Sequence, residues 1–265
     1  MGDNLIDTSK PSAGRIYDYM LGGSHNFEVD RQAADALYVY MPFITKFARL
    51  QRWALKDVAE ELTFKRGYDV IIDFASGLPT MDHLHTFAKK GTTIIYSDID
   101  PVVVEYAREI LAGVENTYFF ENDACYPEQL LNIPEVKKIL NGRRKVGIGF
   151  WGFSTFQNDE ELAHSMQSLY DWAAPGSTLA YNANSVTNPD DPEIKKSIEL
   201  YKSFGSPFYV RSLESHKKLI SPWKASQDGF ISLLDWNGFD QSIMSELDEA
   251  SLGPQGGGFG AFITR

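Results

Sequence analysis

The sequence predicts an α/β protein, a doubly wound and mostly parallel sheet of seven strands behind an N-terminal layer of helices. Three observations carry that expectation. From Tyr68 onward, short runs rich in β-branched residues alternate with helix-period segments, and repeated strand–helix units imply a parallel sheet covered on both faces. Roughly the first 66 residues show helical periodicity and no strand pattern. Gly256-Gly257-Gly258 precedes a final apolar run, a tight-turn signal that predicts a closing hairpin and an antiparallel last strand.

Taken in order, residues before Pro11 read as a mobile polar tail. From Ser12, Ile16, Tyr19 and Met20 share one helical face, and Gly22-Gly23 stops that helix with a positive-φ turn. Glu28 to Met41 reads as a second helix. Pro42 at a first helical position opens a third, running to about Phe64. Strands are expected at Tyr68–Phe74, Thr92–Ser97, Thr117–Glu121, Lys145–Trp151, Ser177–Asn182, Phe230–Leu234 and Gly258–Thr264. Helices are expected between them at Thr80–Lys89, Pro101–Leu111, Pro127–Leu140, Asp159–Trp172, Asp190–Ser203 and Ser212–Leu219. The chain therefore divides into a helical layer, 1–66, and a strand-bearing domain, 67–265.

Composition narrows the function. The chain has 265 residues, 43% of them hydrophobic and 13% aromatic, enough for one full α/β core with an appendage. A formal net charge of −11 argues against a surface that grips nucleic-acid phosphates. No apolar run approaches the ~20 residues of a membrane span, and the N-terminus is polar rather than signal-like. The single cysteine, Cys125, excludes an internal disulfide and a cysteine-based zinc cluster. A cytoplasmic protein is expected. Its oligomeric state is open.

Val70 to Thr80 is the segment around which the rest is arranged. An apolar run ends in Asp73, passes through the small residues Ala75, Ser76 and Gly77, and restarts as a helical pattern after Leu78 and Pro79. That is how a parallel strand turns into a helix beneath a nucleoside-type ligand, with unpaired N–H groups aimed at it. About 25 residues on, near the ~20-residue offset expected for a ribose-binding acid, the second strand ends in Asp98. A carboxylate there accepts hydrogen bonds from both ribose hydroxyls, and Ile99 gives an adenine face apolar cover; the plain alternative is a solvated strand-end acid. Asp100 is expected to cap the next helix, with Pro101 at its first position. The third strand ends in Asp123-Ala124, where an acid accepts from an adenine amino group, or serves as a turn residue.

The loop carries neither G-x-x-x-x-G-K-[ST] nor G-x-G-x-x-G, because Ala75 and Pro79 stand at glycine positions, and no Lys or Arg lies near it to meet phosphates. An acid before the loop repels a pyrophosphate and suits the ammonium of a methionine moiety. The ligand indicated is S-adenosylmethionine (AdoMet) rather than NAD or ATP.

Asp73-x-Ala75-x-Gly77 with Asp98 and Asp123 resembles the D-x-G-x-G, ribose-acid, adenine-acid series of class I AdoMet-dependent methyltransferases, whose fold is Rossmann-like. More narrowly, Arg15-Ile16-Tyr17-Asp18-Tyr19-Met20-Leu21-Gly22-Gly23 with Asn26-Phe27 and Asp30-Arg31 resembles an uncharacterised bacterial S-adenosyl methyltransferase family with an R-[VI]-Y-D-Y-x-L-G-G-x-x-N-F motif. Gly77-Leu78-Pro79-Thr80, His85 and Asp98-Ile99-Asp100-Pro101-Val102-Val103 match that family's later motifs; the resemblance weakens after Asn182. Ala75 departs from it at the first loop glycine. The resemblance implies that Asp73, Ala75 and Gly77 cradle the methionine portion, Asp98 the ribose, and Asp123-Ala124 the adenine; Ser76, Leu78 and Ile99 are expected beside them in the cofactor site. Trp151 and Phe153, at the end of the fourth strand, would then stand where donor and acceptor meet; ordinary core packing is the alternative for such aromatics, and for Phe156 equally.

Arg15, Tyr17, Tyr19, His25 and Asn26 form a lid over the cofactor and part of the acceptor pocket in this reading. The alternative is an Arg–Asp pair that holds two helices together. His25, His85 and Tyr19 are candidate bases, with none singled out. The expected activity is methyl transfer to a small aromatic or apolar metabolite, a pocket for which Tyr17, Tyr19, Phe43, Phe47, Phe208 and Trp223 supply rings. A silent AdoMet-binding regulator is a second reading. A nicotinamide-dependent oxidoreductase is a third, disfavoured by the missing phosphate-binding glycines. No metal is expected.

Overall fold

In the computed structural model, which describes residues 8–80, 82–186, 188, 190–246, 249 and 255–265, the strands form one mixed sheet. The expected tail falls largely on residues outside that range. Five strands run parallel: β1 (Val70–Phe74), β2 (Thr93–Asp98), β3 (Thr117–Glu121), β4 (Gly147–Phe150) and β5 (Thr178–Asn184). β8 (Gly258–Thr264) lies antiparallel to β5 along its whole length, Thr178 facing Thr264 and Asn184 facing Gly258. The order is β3-β2-β1-β4-β5-β8, so the crossover from β3 to β4 reverses direction beside β1.

The expected seven strands are eight. Two short strands, β6 (Lys224–Ala225) and β7 (Ile231–Ser232), both pair with the free edge of β8. Two residues are too few to write an alternation into a sequence; β7 lies inside the run expected as strand, Phe230–Leu234, whose last two residues instead begin a helix, Leu233–Trp236. The last strand is antiparallel as expected, but not through a hairpin: long helical segments separate it from β5, and Gly256 and Gly257, with φ of 70° each, shape only its entry.

Most helices follow their sequence signals, but Pro42, expected at the first position of the third helix, stands in a turn two residues before it. α1 (Ala13–Met20), α2 (Glu28–Tyr40) and α3 (Ile44–Glu60) precede the sheet, and α3 ends in a π-helical turn at Glu61–Lys65. The helix expected over Thr80–Lys89 shrinks to α4 (Leu84–Phe87), because buried Arg52 on α3 binds the Leu78 carbonyl and Thr80 Oγ1 and holds the chain in a non-helical path. The segment expected at Pro127–Leu140 is broken by Pro134 into α6 (Pro127–Asn132) and α7 (Pro134–Leu140). α5 (Pro101–Ile110) is capped by Asp100, whose side chain accepts from the Val102 N–H. A reciprocal Asn158–Glu161 capping box starts α8 (Asp159–Trp172), and Asp191 caps α9 (Pro192–Ser203). α10 (Leu213–Leu219) and α11 (Leu233–Trp236) complete the set among the described residues.

Two core layers cover the sheet. Val70, Ile72, Phe74, Ile148 and Phe150 pack on α6–α8. Ile71, Ile94 and Tyr96 pack on α3 and α5 through Leu50, Ala54, Val58, Leu62, Val103 and Ala107. α1 and α2 form a third cluster, in which Ile16, Met20, Ala34 and Leu37 meet Ile44, Ala48 and Tyr201 of α9. The helices before the sheet thus serve two purposes, α3 as a sheet layer and α1–α2 as a cover that leans on α9.

Candidate functional site

The five parallel strands end on one edge, and above that edge, under α1, α3 and α9, lies a cavity of about 860 Å³. Asp73, Ala75, Ser76, Gly77, Asp98, Ile99, Asp123, Trp151, Phe153, Arg15 and Tyr17 all line it. Leu78, Ala124, Tyr19, His25 and Asn26 do not line it. Leu78 and Ala124 are buried in the two sheet cores, which keeps their loops in place without contact with the cavity.

Asp73, the fourth residue of β1, is 3% exposed and points over β4, where it faces Gly149 in register. A methyl at Gly149 would lie 1.9 Å from Asp73 Oδ1, so a side chain there is excluded. Burial pushes the Asp73 carboxyl up to about 7, against the opposing pull of the Ser76 hydroxyl and the Arg52 guanidinium. The following loop turns through two left-handed residues, Ala75 at φ 51° and Gly77 at φ 62°. Ser76 is pinned to β2 by its N–H to the Ser97 carbonyl, 2.8 Å.

His83, absent from the sequence expectations, lines the cavity and braces this loop. Its Nδ1 accepts from the Leu84 N–H at 2.8 Å, which leaves Nε2 to donate to the Ser76 carbonyl at 3.1 Å. Burial holds its pKa well below the usual imidazole range, so it is neutral. His85 instead gathers on Tyr96: its N–H donates to the Tyr96 hydroxyl at 2.9 Å, away from the cavity lining.

Asp98 closes the other side of the loop. Its Oδ2 accepts from the Gly77 N–H at 2.9 Å and its Oδ1 from the Asp100 N–H at 3.0 Å, leaving further lone pairs on both oxygens. Burial raises its carboxyl to about 6. Ile99 stands beside it, 60% exposed, an apolar surface at the cavity rim. Asp123 lies half-buried at the tip of β3 with Oδ1 receiving the Cys125 N–H. Cys125 and Glu161 line the same wall, and burial pushes the Cys125 thiol up to about 12.

The N-terminal motif resolves into two jobs. Arg15, 2% exposed, donates from Nε to Asp30 Oδ2 and from Nη1 to Asp100 Oδ2, both at 2.9 Å. Asp30 also receives the Ser12 and Phe27 N–H groups, so one buried carboxylate ties together the starts of α1 and α2. Asp18 folds back on the glycine turn. Its Oδ2 accepts from the His25 N–H and Asn26 Nδ2, and its carboxylate sits where a Gly23 side chain would be, 2.1 Å away. His25 and Asn26 are therefore loop-holding residues, and Tyr19 faces Asp35 on the outer side. Tyr17 lines the cavity with its hydroxyl donated to the Ala48 carbonyl.

The far end of the cavity is aromatic. Tyr201 and Phe208 stack with centroids 4.8 Å apart and planes 8° from parallel, and Phe156 presents an edge to both. Met20 and Met41 from the cover helices and Ile44 from the start of α3 continue this wall. Trp151 and Phe153 lie between the two ends, with Trp151 Nε1 donating to the Gln51 carbonyl at 3.0 Å. Of the other rings expected here, Phe47 lines the cavity, whereas Phe43 is fully buried behind it and Trp223 sits in the opposite core, donating to the Met166 carbonyl. α9 and the 204–208 segment carried no sequence signal for this role beyond Phe208.

The expectation that no basic residue approaches the loop is corrected by tertiary packing. Arg15 and Arg52 line the cavity, and Lys10 reaches its rim. Both guanidinium groups are committed: Arg15 to Asp30 and Asp100, Arg52 to Asp82 at 2.9 Å and to the 78–80 backbone and hydroxyl. The polar end thus presents carboxylates, Asp73 and Asp98, with paired cations around them. That donor set fits a ligand that is cationic and carries a diol, such as AdoMet, and gives little to a pyrophosphate.

The comparisons agree with this chemistry. The family model for S-adenosyl methyltransferases matches residues 2–257. A candidate methyltransferase of Thermobifida fusca YX has the same fold, with a TM-score of 0.85, 27% identity, and coverage of 99% of this chain and 97% of that one. A DUF574-family protein of Streptomyces avermitilis MA-4680 superposes with a TM-score of 0.84 at 23% identity, covering 98% of this chain and 99% of its own. An O-methyltransferase family 2 protein of Planctomyces limnophilus DSM 3776, solved with apigenin, shares the fold more distantly, with a TM-score of 0.50, 13% identity and coverage of 90% and 66%. No curated protein matches in sequence. No helix among the described residues is long and apolar enough to cross a membrane, and no group of metal-ligating side chains occurs among them. Between silent binder, oxidoreductase and methyltransferase the family match decides: the chain belongs to the S-adenosyl methyltransferase family and is an AdoMet-dependent enzyme.

Proposed function

We propose that the protein methylates a small, aromatic or largely apolar metabolite in the cytoplasm, with AdoMet at the carboxylate end of the cavity and the acceptor at the aromatic end. The observation that carries the reading is the continuity of one cavity from Asp73 and Asp98 to the Phe156–Tyr201–Phe208 cluster. AdoMet supplies an electrophilic methyl on a sulfonium. Asp73, Ser76 and Gly77 would hold its amino-acid portion, Asp98 its ribose, Asp123 its adenine amino group and Ile99 the ring face. Trp151 and Phe153 would wall the sulfonium, which an electron-rich ring face attracts.

Residues 1–66 act as a lid and acceptor layer over the 67–265 domain in this reading, and the Arg15–Phe27 motif marks the narrower family. Arg15 would fix the lid to the ribose-binding strand end, and Tyr17 would form part of the acceptor wall. Exclusion of water and alignment of acceptor with sulfonium then supply much of the rate. His83 is neutral but has both ring nitrogens engaged, so no lining imidazole is free to act as a base. A general base, where the acceptor needs one, would therefore be a lining carboxylate such as Glu161, and an acceptor that attacks as a lone pair or a preformed anion needs none.

Calorimetry with AdoMet, S-adenosylhomocysteine and NAD, followed by incubation of a metabolite extract with methyl-labelled AdoMet, tests this. Micromolar AdoMet binding, a loss of about 100-fold in Asp98→Ala and label in an extractable small molecule are expected, the loss reflecting two charge-assisted hydrogen bonds. Unchanged affinity in Asp98→Ala would remove the ribose assignment. Label confined to macromolecules would remove the small-acceptor reading.

A further inference from the structure

Between the carboxylate and aromatic ends of the cavity sits a chain of three amides whose orientations determine one another. Asn182, fully buried in β5, donates from Nδ2 to the Phe259 carbonyl of β8 at 2.9 Å. That fixes its Oδ1 as an acceptor, and Gln51 on α3 answers with Nε2 at 2.6 Å. The same Nε2 reaches Asn184 Oδ1 at 3.2 Å, so Asn184 is fixed in turn. Gln51 is 5% exposed, and its remaining acceptor, Oε1, has no hydrogen-bond partner among the described residues. Nor has the remaining donor, Asn184 Nδ2.

Both residues line the cavity, and the Gln51 amide lies at the tip of β4, 3.6 Å from where a Gly152 side chain would begin. Gln51 Oε1 opens onto the cavity, so it is free to accept from whatever occupies that space. The pair offers one acceptor and one donor from side chains already hydrogen-bonded to each other.

From this we infer that Gln51 and Asn184 are specificity-determining residues that read a neutral group on the methyl acceptor able both to donate and to accept a hydrogen bond, a ring hydroxyl or the edge of a lactam. The inference rests on the assignment of the aromatic end to the acceptor. A carboxylate is rejected, because Gln51 Oε1 repels it and the lining guanidinium groups are committed elsewhere. A bare hydrocarbon ring is disfavoured, because it leaves both amide groups unanswered.

The test uses the full-length protein saturated with S-adenosylhomocysteine and four probes of similar shape: naphthol, quinolone, naphthalene and naphthoate. Naphthol or quinolone is expected to bind at least about fivefold more tightly than naphthalene, as one or two neutral hydrogen bonds allow, and naphthoate weakest. Asn184→Ala and Gln51→Met should bring the naphthol-to-naphthalene ratio near one, while S-adenosylhomocysteine affinity stays within about threefold. Asn184→Ala keeps the test decisive if loss of Gln51 unfolds the chain, because Asn182 then retains its partner. Equal binding of naphthol and naphthalene, preference for naphthoate, failure of all four probes, or an unchanged preference in Asn184→Ala overturns the inference. Failure of S-adenosylhomocysteine itself to bind overturns the underlying reading instead.

Discussion

Arg15 Nη1 lies 2.9 Å from Asp100 Oδ2, two residues beyond Asp98, and this contact joins the first helix of the chain to the strand end that faces the cavity. Because Asp100 also gives its N–H to Asp98 Oδ1, a displacement of Arg15 is transmitted to the Asp98 carboxylate through one backbone group. The motif that marks the N-terminus is therefore mechanically continuous with the polar end of the site.

Arg15→Met keeps the length of the side chain and removes its charge. Asp30, fully buried, would be left with only the Ser12 and Phe27 N–H groups as partners. Breaking a buried pair from one side costs about 3–5 kcal/mol, and a loss of that size in urea denaturation is expected, with weaker AdoMet binding alongside. A loss below about 1 kcal/mol would class the pair with surface ion pairs and remove this coupling.

Ala75 adopts φ 51°, a left-handed conformation that a β-carbon disfavours by roughly 1–2 kcal/mol. Its methyl is partly buried at the margin of the core. Ala75→Gly should therefore stabilise the protein by about 1 kcal/mol, net of the added freedom of the unfolded chain, and leave AdoMet affinity equal or higher. Thermal or chemical denaturation reads the first and calorimetry the second. Destabilisation by Ala75→Gly would mean that methyl packing outweighs the backbone strain.

The sequence carried the sheet and the acids because both are written locally. A strand announces its end by where the β-branched run stops, so Asp73, Asp98 and Asp123 could be aligned on one edge before any contact was known. The parts it hid depend on contacts between distant residues. His83 caps α4 and His85 lies in its single turn, and only the fold decides which one faces the Ser76 carbonyl. Gln51 and Asn184 are separated by 133 positions, with no spacing rule to connect them. Asp18, His25 and Asn26 are as polar as a binding motif, yet their hydrogen bonds are spent on a tight turn that Gly23 makes room for. Arg52 reshapes the segment after Gly77 from another helix, which is why the expected helix start there fails.

The two carboxylates predict opposite pH responses for the empty and the liganded protein. Asp73 and Asp98 titrate at about 7 and about 6 against an ordinary 3.8, in both cases chiefly through burial. Between pH 4 and 7 the folded chain holds protons that the unfolded chain has released, so these groups make stability fall as pH rises through that window. AdoMet binding selects their ionised forms, so its affinity should rise with pH over the same range, by up to about tenfold per unit for each group below its pKa. Calorimetry from pH 5.5 to 8 is expected to show this rise with proton release, and Asp73→Asn should flatten the part of the profile above pH 6 while weakening binding throughout. Affinity that is constant from pH 5.5 to 8 would mean that neither carboxylate changes protonation on binding. That outcome would leave Asp73 and Asp98 as structural acids of the strand ends.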